Sequence, residues 1–158
     1  IGSNVQVGNL QSDSLQGDRV YQAYFQRISE GTPTLDISDC PDLGPVLFAL
    51  AAMKNGAVFT GTDRLKAKES DRGMAMHEEL KKLGGGLIFG ENVITVPKQE
   101  LADQGELLSG HNDHRIVMAM SLILSRIGGR IDDAQAVRKS YPGFFEDIKR
   151  LGAKVEVK

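Results

Sequence analysis

Leu65-Lys66-Ala67-Lys68-Glu69-Ser70-Asp71-Arg72 and Val137-Arg138-Lys139-Ser140-Tyr141-Pro142 decide the reading of this chain, because each introduces a segment built to the same plan. The first leads into an apolar stripe at helical spacing, Met76, Leu80 and Leu83, that ends in Leu83-Gly84-Gly85 and gives way to a strand. The second leads into Phe145, Ile148 and Leu151, ends in Leu151-Gly152-Ala153, and again gives way to a strand. Upstream of each, an aspartate opens a helix that is followed by a glycine-led strand: Asp42 lies 27 residues before Glu69, and Asp113 lies 26 before Lys139. The spacing predicts two copies of a βαβαβ-like unit, with polar groups at two helix starts in each. If these four helix entrances share one face, that face is a site.

Outward from the repeat, helical stripes also run through Val20, Tyr24 and Ile28 to Gly31, through Leu47, Leu50, Ala51 and Met53 to Gly56, and through Ile116, Val117, Met120 and Leu124 to Gly128. Short β-prone runs lie at Val5–Val7, Thr34–Ile37, Ala57–Thr60, Leu87–Phe89, Val93–Val96, Arg130–Ile131 and Lys154–Val157. Helices and strands alternate, so the fold class is α/β (α+β).

The 158 residues suffice for one domain with a sizeable core, and 41% hydrophobic residues with 25% charged exclude a disordered chain. A formal net charge of −2 gives no global pull toward nucleic acid or an anionic membrane, so anion binding has to be local. Cys40 is the single cysteine, which excludes an internal disulfide; with no Cys/His cluster, no metal site is expected. A reducing, cytoplasmic setting fits, and neither a spanning run nor a signal peptide is apparent. The start at Ile1 rather than Met, with a polar stretch behind it, points to a piece of a longer protein.

A helix N-terminus presents unpaired N–H groups and the positive end of the macrodipole, and it favours phosphate or carboxylate most when Arg or Lys stands beside it. Arg72 and Arg115 fall just inside such starts, and Arg64, Lys66, Lys68, Arg138 and Lys139 add to the supply of positive charge. An acidic small molecule is the natural ligand. The competing reading makes Asp42, Ser70, Asp113 and Ser140 simple N-caps with solvated charges around them. Caps do not require Glu69 between cations, where its carboxylate becomes a candidate for proton transfer. His114 beside Arg115 suits either an acid/base or a neutral hydrogen-bonding role, His77 and His111 read as surface residues, and Cys40 reads as a small buried residue.

Asp39-Cys40-Pro41-Asp42-Leu43-Gly44-Pro45, Arg64 to Arg72, Asn112-Asp113-His114-Arg115-Ile116 and Lys139-Ser140-Tyr141-Pro142 occur in this order, with Ser14-Leu15-Gln16-Gly17-Asp18 before them. Together they resemble the C-terminal part of the 5-enolpyruvylshikimate-3-phosphate (EPSP) synthase family, over about Val5 to Lys158. The resemblance implies a transferase of the shikimate pathway. It moves the enolpyruvyl group of phosphoenolpyruvate to the 5-hydroxyl of shikimate 3-phosphate and releases phosphate, on the way to chorismate and the aromatic amino acids, without metal or organic cofactor. It implies two domains of three βαβαββ units each, with ligands in the cleft where helix N-termini converge. On that plan residues 1–38 are a remnant of one unit, 39–110 a second unit and 111–158 an incomplete third. The other domain of the parent chain lies outside, and half of an active site is expected here.

Position by position, the resemblance assigns Asp42 to shikimate 3-phosphate and to acceptance of its 5-hydroxyl proton, and Lys68 to the same substrate. Glu69 matches the glutamate that exchanges protons with the phosphoenolpyruvate methylene carbon. Arg72, Arg115 and Lys139 match the cations that hold phosphoenolpyruvate, Lys139 being also a candidate proton donor, and His114 lines the same place. Arg64 departs from the pattern, standing where some members have asparagine on the phosphorylated substrate. UDP-N-acetylglucosamine enolpyruvyl transferase is the nearest alternative, but the Lys-Glu-Ser-Asp-Arg and Asn-Asp-His-Arg segments argue against it. A non-catalytic, substrate-binding piece is the alternative of another kind.

Overall fold

Gly44-Pro45-Val46-Leu47-Phe48-Ala49-Leu50-Ala51-Ala52-Met53 has no charged or hydrogen-bonding side chain, so the helix it forms must be surrounded. In the computed structural model, which describes residue 8 and residues 14–157, this helix α2 (Gly44–Met53) is central, with Leu47, Phe48, Ala49, Ala51 and Ala52 buried. Helices α1 (Tyr21–Glu30), α3 (Arg72–Lys81) and α4 (His114–Ile127) pack around it. The last helix, α5 (Phe144–Arg150), stands at the far side of α4, where Val117, Ala136, Val137 and Phe144 form a second, small core.

Two strand–helix–strand passages organise the chain. In the first, β1 (Thr34–Asp36) runs through α2 to β2 (Ala57–Thr60), and the two strands pair in parallel. A hairpin of β3 (Ile88–Gly90) and β4 (Val93–Val96) then adds to β2, with β4 antiparallel to both, which gives the order β1-β2-β4-β3. In the second passage, β5 (Leu107–Leu108) runs through α4 to β6 (Arg130–Ile131), again a parallel pair. Among the described residues this sheet remains two-stranded. Helix α4 joins the passages: Ile116, Ala119, Met120 and Ile123 enter the large core with α2, and Val117 enters the small one.

The mixed α/β class and the repeated order agree with the sequence, and five of the seven strands expected match within a residue at each end, with Ala57–Thr60, Val93–Val96 and Arg130–Ile131 matching in full. The cationic segments differ from expectation. Each coils first into a short 3-10 stretch, Asp63–Ala67 and Ala134–Lys139, and the α-helix begins several residues later, at Arg72 and at Phe144. Lys154–Val157 is not a strand, because β6 offers it no paired neighbour among the described residues; an alternating pattern without a partner leaves its N–H and C=O groups to water. Leu107–Leu108 forms a strand too short to leave an alternating pattern, and Val5–Val7 lies outside the described residues.

Candidate functional site

Three helix starts meet. Asp42 lies within the 3-10 turn Pro41–Leu43 that leads into α2, Arg72 is the first residue of α3, and His114 and Arg115 are the first two of α4. Asp113 caps α4, its Oδ1 accepting from the Arg115 N–H at 2.8 Å, and Asp71 caps α3 by accepting from the Met74 N–H. The other expected caps do other things. Ser70 donates its hydroxyl to Asp113 Oδ2 at 3.0 Å, Ser140 ends the 3-10 stretch Ala134–Lys139, and Asp42 turns its carboxylate into the cluster.

Arg72 is the keystone. Its guanidinium is 1% exposed and meets three carboxylates, Nε at 2.9 Å from Asp113 Oδ2, Nη1 at 2.7 Å from Asp42 Oδ1 and Nη2 at 2.6 Å from Glu69 Oε2. These carboxylates come from three stretches of chain, so one planar fork holds α2, α3 and α4 in register. Asp42 also receives Lys68 Nζ at 3.0 Å and Arg115 Nη2 at 3.4 Å. Three carboxylates thus face three cations, a set without net charge.

His114 sits over this set with Nδ1 at 3.8 Å from Glu69 Oε1 and 3.9 Å from Asp113 Oδ1. The side chain is buried and that nitrogen has no hydrogen-bond partner among the described residues. Burial lowers the His114 pKa, against the pull of Asp113 and Glu69, so the ring is neutral at neutral pH. Burial alone would raise Asp42 and Asp113. Hydrogen bonds outweigh it in both, from Lys68 and Arg72 at Asp42 and from Arg72 and the Arg115 N–H at Asp113, and hold both carboxyls below the ordinary value. For Arg72 burial works downward, but its partners, Asp113 foremost, raise it.

Asp42, Lys68, Glu69, Arg72, His114 and Arg115 are therefore assembled as the repeat suggested. Arg64 and Lys139 stand outside the ion-pair set: Arg64 Nη1 donates to the Ser38 carbonyl at 2.7 Å, while Lys139 Nζ donates to the Asn112 carbonyl and to Asn112 Oδ1 at 3.0 Å. Asp113 is a member that sequence reasoning treated only as a helix opener, although it stood inside a quoted motif. Two histidines read as surface residues are instead engaged: His77 Nδ1 accepts from the Leu87 N–H, and His111 Nε2 lies 2.8 Å from Glu79 Oε1. Cys40 is buried as expected, and burial with the nearby Asp18, Asp36 and Asp39 pushes its thiol up to about 11.

Fixed cations at converging helix starts, backed by ionised carboxylates and a neutral imidazole, suit an anionic ligand and proton transfer. The family profile of EPSP synthase (3-phosphoshikimate 1-carboxyvinyltransferase) matches residues 1–148, and the chain belongs to that family. A 3-phosphoshikimate 1-carboxyvinyltransferase of Clostridium kluyveri is 35% identical, covering 99% of this chain and 41% of its own length. One from Methanocella arvoryzae is 36% identical with the same coverage. The solved EPSP synthase of Acinetobacter baumannii superposes with a TM-score of 0.61 at 31% identity, over 77% of this chain and 29% of that one. The chain thus spans about two fifths of the length of such relatives. No helix among the described residues is long and apolar enough to cross a membrane.

Proposed function

We propose that this chain is part of a cytoplasmic enzyme that transfers the enolpyruvyl group of phosphoenolpyruvate to the 5-hydroxyl of shikimate 3-phosphate and releases phosphate. The observation that carries the reading is the convergence on Arg72 of three carboxylates from segments up to 71 residues apart, in a chain of this family. Residues 39–110 and 111–158 act as two units of one domain, with 1–38 a remnant of another, and a second domain supplies the rest of the site. The charge balance supports that division: three cations matched by three carboxylates leave nothing over for two multiply charged substrates, so further positive charge has to come from Arg64 and Lys139 at the margin and from the other domain.

Asp42, ionised and held by Lys68, accepts a hydrogen bond from the substrate 5-hydroxyl and takes its proton as the oxygen bonds to the central carbon of phosphoenolpyruvate. Lys68 and Arg64 hold shikimate 3-phosphate. Arg72, Arg115 and Lys139 hold phosphoenolpyruvate, and its approach to Arg72 displaces Asp42 or Glu69 from the guanidinium. Glu69, freed from Arg72 as the substrate binds, takes up a proton from solvent and, with the neutral His114 beside it and Lys139 as an alternative donor, passes it to the methylene carbon. The tetrahedral adduct then returns a methyl proton to the Glu69 carboxylate as the C–O bond to phosphate breaks, and fixed cations stabilise the leaving group.

The test is phosphate release from phosphoenolpyruvate by the full-length enzyme carrying this sequence, with shikimate 3-phosphate or UDP-N-acetylglucosamine as acceptor. Release with the shikimate alone is expected, and Glu69→Gln should cut kcat by about a hundredfold or more with little change in KM. Release with the sugar nucleotide alone, or a Glu69→Gln effect confined to KM, overturns the assignment.

A further inference from the structure

Between β5 and α4 the chain passes through Ser109-Gly110-His111-Asn112-Asp113, with His111 at φ 50° and Asn112 at φ 49°. Consecutive left-handed residues other than glycine cost free energy and persist only where the surroundings over-determine them. The surroundings here account for every amide in the turn. The Ser109 N–H donates to Glu79 Oε2 at 2.7 Å, Gly110 to Asp132 Oδ1 at 2.9 Å, His111 to Ser109 Oγ at 3.1 Å, Asn112 to Asp133 Oδ2 at 3.1 Å and Asp113 to the Gly110 carbonyl at 2.9 Å. Three of the five acceptors are carboxylates, one from α3 and two from the residues just after β6.

The carboxylates are themselves set. Glu79 is 1% exposed, with Lys82 Nζ at 2.8 and 3.0 Å from its two oxygens and His111 Nε2 at 2.8 Å. The Lys82 ammonium already pairs with both Glu79 oxygens, so the central carboxylate of the Glu78, Glu79 and His111 group is engaged as a clamp. Gly110 is required by close approach: a Cβ there would lie 2.6 Å from Val117 Cγ2 and 2.7 Å from Asp133 Cβ. Glu79 also breaks the apolar stripe of α3 at Met76 and Leu80, a charged residue on a core face that needs a partner.

Two groups of the candidate site hang on this turn. Asn112 offers Lys139 both its carbonyl and its Oδ1, and Asp113 offers Arg72 its carboxylate. We infer that Asp133, Glu79 and Asp132 are positioning residues, which hold the 109–113 turn in its left-handed form and through Asn112 place the Lys139 ammonium for the phosphoenolpyruvate end of the site. The inference rests on the proposed function for what Lys139 does, and on the hydrogen bonds alone for what holds it. With all five N–H groups engaged, the turn binds no phosphate by its backbone, and the anion is left to side chains.

Asp133 is the position to test, since it is only half-buried and sits at φ 52°. Asp133→Gly removes the acceptor without straining a left-handed backbone, whereas Asp133→Asn keeps an acceptor oxygen and tolerates that conformation. In the full-length enzyme Asp133→Gly should raise KM for phosphoenolpyruvate roughly ten- to hundredfold and leave KM for shikimate 3-phosphate unchanged. Asp133→Asn should keep both KM values at those of the unsubstituted enzyme. Unaltered KM values in Asp133→Gly, or a fall in kcat alone, overturn the inference. A second reading needs no turnover: the 15Nζ resonance of Lys139, identified by its loss in Lys139→Arg, should move in Asp133→Gly and in Glu79→Gln. If the enzyme fails to release phosphate the proposed function falls, and the Lys139 resonance still decides this inference, unmoved signals sinking it.

Discussion

The two strand–helix–strand passages share a plan and differ in what holds them. β1-α2-β2 is built around a helix apolar on all sides, is widened by the β3–β4 hairpin and buries Phe48 and Phe59 edge-to-face. The turn into its helix is secured mostly by backbone bonds, Ile37 N–H to the Thr60 carbonyl and Cys40 N–H to the Ile37 carbonyl. β5-α4-β6 has two strands of two residues, a far side that meets only the small cluster of Val117, Ala136, Val137 and Phe144, and a turn into its helix tied by three carboxylates. Burial of apolar area is non-directional, while ion pairs and hydrogen bonds specify geometry. The chain therefore anchors its mass in the first passage and uses the second to aim functional groups, and Arg72 joins the two.

That contrast can be broken at its strongest point first. Arg72→Ala should cost about 5 kcal/mol, the upper end for a buried charge left unpaired, since Asp113 loses its main partner. Urea unfolding measures it, and a loss below about 1 kcal/mol would mean the passages are joined by something else. Next in size, Phe59→Ala should cost about 4 kcal/mol and Phe144→Ala about 2 kcal/mol, because the second ring lies at the edge of a small cluster that can relax. Equal losses would erase the distinction between the cores. The smallest effect is with pH. Asp113 and Asp42 are held below the ordinary carboxylate value when folded, so their contribution is complete above about pH 4 and fades as pH falls through their folded values. Asp113→Asn should flatten the fall of the urea midpoint below about pH 4, and an unchanged slope would assign acid sensitivity to other groups.

Much of this was legible in the chain because it is encoded by local period and by repetition. The stripe through Ile116 and Met120 fixes a helix face, and the offsets of 27 and 26 residues from Asp42 and Asp113 mark the repeated order of elements. Non-local satisfaction was not legible. Nothing near Asp113 in sequence tells that Arg72 and Ser70, more than forty residues upstream, complete its shell. Glu79 carried a signal, a carboxylate on an apolar face, but not the identity of the amides that answer it. The alternation in Lys154–Val157 describes a strand only when a neighbour is present, so pattern without partner misled there.

Cys40 lies two residues before Asp42, fully packed, with its thiol pushed up to about 11. At neutral pH almost none of it is thiolate, and the nucleophile is absent as well as shielded. The only sulfhydryl of the chain is thus silent toward alkylating and oxidising agents while the turn ahead of α2 stays shut, and any reaction it undergoes times the openings of the segment that carries Asp42.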